Sequence, residues 1–166
     1  MKKIILFILG FVLIAGTVHA QNDKNGGENP VGASKAVYGE FGGSGLIFSG
    51  NFDMRFKGHK GAGFRAGIGF FAASDVSVVT FPLGLNALIG NGPHYFELGA
   101  SATLTTASVT FFDDTEKGSA WFFMPHFGYR YTKPSKSFNG RIYVGPVIAG
   151  GSAFFPFGGL SVGYTL

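Results

Sequence analysis

From Lys35 to the C-terminus, apolar residues recur at every second position, which is the period of a β-strand, and Gly, Pro, Asn and Ser punctuate the runs. Eight segments emerge, near 35–42, 45–57, 62–72, 77–90, 95–111, 119–132, 139–149 and 157–166. In the last, Leu160, Val162, Tyr164 and Leu166 share one face, and Ser161, Gly163 and Thr165 share the other. The fifth sets Phe96, Leu98, Ala100, Ala102 and Leu104 against Tyr95, Glu97, Gly99, Ser101, Thr103 and Thr105. The sixth opposes Trp121, Phe123, Phe127, Tyr129 and Tyr131 to Met124, His126, Gly128 and Arg130, and the second opposes Leu46, Phe48, Phe52, Met54 and Phe56 to Ser49, Asn51, Asp53 and Arg55.

The first twenty residues follow another pattern. Lys2 and Lys3 precede an apolar run from Ile4 to Ile14, and Val18-His19-Ala20 ends in a small-x-Ala-like site, the layout of a Sec-type signal peptide cleaved before Gln21. The run is too short to span a hydrocarbon core about 30 Å thick. Residues 21–34 are polar and rich in Asn and Gly, and are expected to form a flexible periplasmic tail. After residue 20 no uninterrupted apolar stretch has the length of a membrane helix.

Alternation alone does not say which face meets solvent; the charges decide it. Arg55, Arg65, Arg130 and Arg141 all fall on polar strand faces, as do Glu40, Asp53 and Glu97, whereas the lysines beyond the leader fall in the tail, in turns or at strand ends. Arginine suits enclosed, bidentate pairing, and lysine prefers free hydration. The opposite face, rich in Phe, Tyr and Trp, would overfill an eight-stranded barrel, whose interior only just holds side chains. The faces are therefore expected inside out: aromatic and aliphatic residues toward lipid, charges and glycines toward the lumen. Composition agrees, with 46% hydrophobic, 16% aromatic and only 13% charged residues, against about 25% charged in soluble domains. Cysteine is absent, and the net charge of +4 becomes 4 − 2 = +2 without Lys2 and Lys3, with no basic cluster for nucleic acid.

The predicted fold is all-β: an eight-stranded antiparallel up-and-down transmembrane barrel over residues 35–166, following a signal peptide (1–20) and a tail (21–34). An even strand number puts both ends in the periplasm, along with the turns 58–61, 91–94 and 133–138. The connections near Gly42 to Ser44, Ala73 to Val76, Phe112 to Gly118 and Gly150 to Pro156 face outward from the cell.

Two stretches, Phe81 to Gly99 (FPLGLNALIGNGPHYFELG) and Phe127 to Tyr131 (FGYRY) followed by Arg141 to Pro146 (RIYVGP), resemble a family of small bacterial outer-membrane β-barrel proteins whose members mostly carry no assigned activity. The resemblance covers most of residues 35–166 and implies fold and location, with no catalytic group. The C-terminus also looks like the signal read by the outer-membrane barrel assembly machinery: Leu160, Val162 and Tyr164 match it, and Leu166 stands where a terminal Phe is usual.

The candidate chemistry is a lumenal polar network of Glu40, Asp53, Arg55, Arg65, Glu97, His126, Arg130 and Arg141. Enclosed carboxylates and histidine can do acid/base work. A network that merely satisfies a polar core explains the same residues, because buried charges must be paired. Glu97 and Arg130, on adjacent strands, are expected to pair. His59, His94 and His126 have no companions at metal-ligand spacing, and Gly42 to Gly45 and Gly150-Gly151 read as turns. Trp121, Tyr129, Tyr131, Tyr143 and Tyr164 are expected at the two membrane interfaces. The expected role is structural or interaction-based, with a filled lumen in place of a wide pore, no cofactor, and lipids and the assembly machinery as partners. Two competing readings are a lipid A acyl hydrolase or transferase, for which no Ser/His/acid group is marked out, and a soluble periplasmic barrel with an apolar ligand in its centre.

Overall fold

The computed structural model describes residues 34–111, 114–132, 138–150 and 153–166. The expected signal peptide, all of the tail but Ser34, and residues 133–137 of one turn lie outside them.

The described residues form one closed barrel: β1 (Lys35–Gly42), β2 (Phe48–Arg55), β3 (Gly61–Ala73), β4 (Val76–Asn91), β5 (His94–Phe111), β6 (Asp114–Thr132), β7 (Phe138–Ala149) and β8 (Ala153–Thr165), each paired antiparallel with its sequence neighbour. Closure comes from β1 against β8, in a register running from Ala36↔Thr165 to Gly42↔Gly159. Every strand therefore has a partner on each side, and the sheet has no edge strand.

The faces are segregated strictly. Along β1 and β2 burial alternates residue by residue, with Phe41 and Phe48 outward and Tyr38, Glu40, Ser49, Asn51, Asp53 and Arg55 inward. Phe127 is 53% exposed, whereas Arg65 and Arg130 are 1% and 3% exposed. That ordering reverses a water-soluble barrel. The outer wall is an apolar belt of Phe, Leu, Ile and Val contributed by all eight strands, far beyond the patch size that a soluble monomer exposes. Facing lipid, the same belt costs nothing.

Two connections differ from the sequence expectation. β6 begins at Asp114 and pairs with β5 out to Phe111↔Asp114, so the connection expected over Phe112 to Gly118 shrinks to residues 112–113. β8 begins at Ala153, so Pro156 lies within a strand, opposite Pro146. Neither proline has an N–H, and their pairing fits a site in the antiparallel ladder where neither would bond to the other. The same Pro146 also falls level with Pro125 of β6, where bonds would be required of both. There the β6–β7 pairing lapses, between Phe123↔Ile148 and Phe127↔Val144. Gly145 fills the gap, since a Cβ at this position would collide with the Pro125 carbonyl.

The β1–β2 connection does not stay at the rim. Gly43–Gly45 make one 3-10 turn that is fully buried and dips into the barrel, touching β1, β3, β4, β5 and β8. Gly42 and Gly43 take φ of 75° and 65°, which glycine accepts freely. Thr103 donates to the Ser44 carbonyl at 2.8 Å, Thr80 donates to the Gly45 carbonyl at 3.1 Å, and the Ser44 N–H donates to the Tyr143 hydroxyl at 3.0 Å. Leu46, placed on the outer face by the alternation, follows this turn inward and packs on a buried cluster of Phe122, Met124, Tyr143 and Val147.

Candidate functional site: the charged interior

Below the buried turn and its apolar cluster, toward the end where β1 begins and β8 ends, the interior changes character. Inward positions of β1, β2, β3, β5, β6 and β7 bring Glu40, Asp53, Arg55, Arg65, Glu97, Arg130 and Arg141 together, all with 4% exposure or less. They form one alternating chain. Arg65 Nη2 donates to Glu40 Oε1 at 2.9 Å, and the other Glu40 oxygen accepts from Arg141 Nη2 at 2.5 Å. Arg141 Nη1 reaches Glu97 Oε1 at 3.1 Å, and Glu97 Oε2 accepts from Arg130 Nε at 2.8 Å. Arg130 then grips Asp53 with both terminal nitrogens, at 3.1 and 3.2 Å, and Asp53 Oδ1 accepts from Arg55 Nη2 at 2.7 Å. Four guanidiniums and three carboxylates alternate along it, with an arginine at each end.

Neutral groups tie the chain to the wall. Asn86 of β4 donates to Asp53 at 2.8 Å and to Glu97 at 3.1 Å, while its carbonyl accepts from Arg55. Asn51 accepts from Arg65 at 3.1 Å and donates to Ser49 at 2.8 Å. The Arg141 guanidinium lies over the rings of Tyr38 and Tyr143, 4.6 and 4.7 Å from their centroids, and Arg65 lies 5.7 and 5.8 Å from the same rings. Desolvated guanidinium on aromatic faces adds attraction beyond the ion pairs.

Tyr143 overturns one expectation. It is 2% exposed, with its ring inside the barrel, and does not stand at a membrane interface. Its hydroxyl accepts from the buried turn above, and Arg65 Nη1 lies 3.4 Å away, so it joins the apolar and the charged layers. Trp121, Tyr129 and Tyr164 are exposed on the outer wall, and Tyr131 is half-buried there. Tyr129 and Tyr131 pack with His94 at the turn end, at ring separations of 5.9 and 5.3 Å. Leu160, Val162, Tyr164 and Leu166 all point outward near the chain's end.

His126 is buried among these groups without serving as an obvious base. Its Nε2 lies 3.8 Å from Glu97 and has no hydrogen-bond partner among the described residues; Nδ1 faces the Met124 carbonyl at 3.3 Å, and the ring packs 4.7 Å from that of Tyr143. Among the described residues no group of three or more His, Asp or Glu side chains is arranged to hold a metal. Asn86 and Tyr38 were not singled out from sequence. Their positions carried the signal, since each sits between two outward residues of its strand.

No protein-family model and no curated protein matches the sequence. Solved structures do match in shape. The N-terminal β-barrel domain of Pseudomonas aeruginosa OprF superposes with a TM-score of 0.61 at 10% identity, covering 81% of this chain and 96% of that one. Neisserial surface protein A gives a TM-score of 0.51 at 15% identity, covering 81% and 94%. Closed eight-strand topology, an inverted distribution of apolar and charged side chains and these superpositions agree: the chain has the fold of the small eight-stranded outer-membrane β-barrels.

Proposed function

We propose that this protein is an integral outer-membrane barrel with a structural or interaction role, whose interior is occupied by its own side chains and does not serve as a wide pore. The observation that carries the reading is the unbroken chain of ion pairs from Arg65 to Arg55, roofed by the buried turn Gly43–Gly45. A solute crossing the barrel would have to displace the turn and separate several paired charges in a medium of low dielectric. Separating one such pair costs several kcal/mol. Outer-membrane lipids are the partners of the apolar belt, and the assembly machinery reads the outward residues Leu160, Val162, Tyr164 and Leu166 during insertion. Residues 1–20 direct Sec export and are removed, and no catalytic role is assigned.

Liposome swelling tests the closed interior. Vesicles carrying the purified, heat-modifiable barrel are expected to swell in sugars no faster than protein-free vesicles, and porin-like swelling overturns the reading. Cell fractionation should recover the protein with outer-membrane vesicles, starting at Gln21 by mass spectrometry.

A further inference from the structure

The chain of ion pairs ends at two arginines, and what sets Arg55 apart is the space beside it. At Arg65, Glu40, Asn51 and Tyr143 meet the terminal nitrogens and two tyrosine rings flank the guanidinium, while its Nε–H has no acceptor among the described residues. Arg55 is the end nearer the turns, and it donates to Asp53, to Asn86 and, at 3.0 Å, to the Gly61 carbonyl. Its Nε–H has no acceptor among the described residues, although the side chain is 2% exposed. The Thr165 hydroxyl is likewise buried without a partner among the described residues. Both residues line one small polar cavity of about 20 Å³ at the mouth where β1 begins and β8 ends, together with Asp53, His59, Arg130 and Thr132.

Charge balance points the same way. Leaving His126 aside, four buried guanidiniums face three buried carboxylates, 4 − 3 = +1, and an alternating chain with arginines at both ends places that surplus at its ends. An uncompensated buried cation and an unpaired buried donor are both costly. We propose that the mouth cavity binds one monatomic anion, a halide such as chloride, held by the Arg55 Nε–H and the Thr165 hydroxyl in the field of Arg130. The size of the cavity points to the class, because it has room for about one water-sized sphere. Asp53 on the same wall is neutralised by its bonds to Arg55 and Arg130. The site stands apart from the closed-interior reading, since liposome swelling and halide binding are measured separately.

Chloride-35 NMR on the folded barrel in a zwitterionic detergent, with gluconate holding ionic strength constant, provides the test. The wild-type barrel is expected to broaden the chloride line, and bromide is expected to compete the excess away. Arg55→Met should bring the excess to the detergent baseline, Thr165→Val should reduce it severalfold, and Lys117→Met at the far end should leave it unchanged. No excess from the wild type, or wild-type broadening retained by Arg55→Met, overturns the site. If Arg55→Met fails to show heat-modifiable folding, Thr165→Val decides, and unchanged broadening there overturns it. Crystals grown in bromide should show an anomalous peak within hydrogen-bond distance of Arg55 Nε, and a peak elsewhere with none at the mouth counts against the site equally.

Discussion

At the scale of single residues, Glu97 accepts from Arg130, Arg141 and Asn86 while wholly buried. Glu97→Gln keeps the shape and removes the charge, leaving Arg130 and Arg141 short of a counter-ion. A loss of about 3–5 kcal/mol is expected from breaking a buried network at one member, read as a lower melting temperature in detergent. Tyr143→Phe tests a different link. It deletes the acceptor of the buried Ser44 N–H, and a loss of about 1–3 kcal/mol is expected by the same measurement. Period two located the inward charges, because Phe52 and Met54 flank Asp53, and Phe96 and Leu98 flank Glu97. The Glu97–Arg130 pair was legible from their adjacent strands and forms at 2.8 Å; the pairs that reach across the barrel were not, since they depend on which strands face one another there. At Tyr143 position outranks residue type: Ile142 and Val144 on either side of it both face out, so parity alone sends its ring inside and away from the membrane interface.

Strands and turns show a similar division. All eight strands were visible as alternating runs, and the short turns after β2 and β4 fell close to where glycine and proline predicted. The hairpin of β5 and β6 did not, because Gly118 and the acidic residues beside it read as a loop while they continue the ladder, with Gly118 opposite Ala107. Beyond Thr106 this hairpin carries Ser108, Thr110, Thr115, Glu116, Lys117 and Ser119 among its residues, with Thr106–Ser119 and Thr110–Thr115 hydroxyl pairs at 3.1 and 3.2 Å. Such exposed cross-strand contacts contribute little each. Excising residues 109–116 and closing the strands with an Asn-Gly turn should therefore leave the melting temperature within a few degrees of wild type; a collapse of folding would show that the extension supports the wall. The inward turn Gly43–Gly45 was foreseen as a turn, but its burial depends on Thr80 and Thr103, some 35 and 59 residues away from the carbonyls they bond. Local pattern carries no information about partners that distant.

For the whole molecule, orientation is the quantity to measure, and the absence of cysteine makes it accessible. Lys117→Cys in the long hairpin should react with a membrane-impermeant maleimide on intact cells, and Gly92→Cys in the β4–β5 turn should react only after the cells are opened. The reverse pattern would invert the barrel in its membrane. The seam between β1 and β8 adds a constraint on how the molecule comes into being. Its two sides are the first and last strands of the barrel, joined through Ala36↔Thr165, so the ring has no closed form until β8 has been made. A chain that cannot finish itself during synthesis has to travel unfinished, and any truncation that removes β8 should produce a species that is degraded in transit and never a smaller barrel.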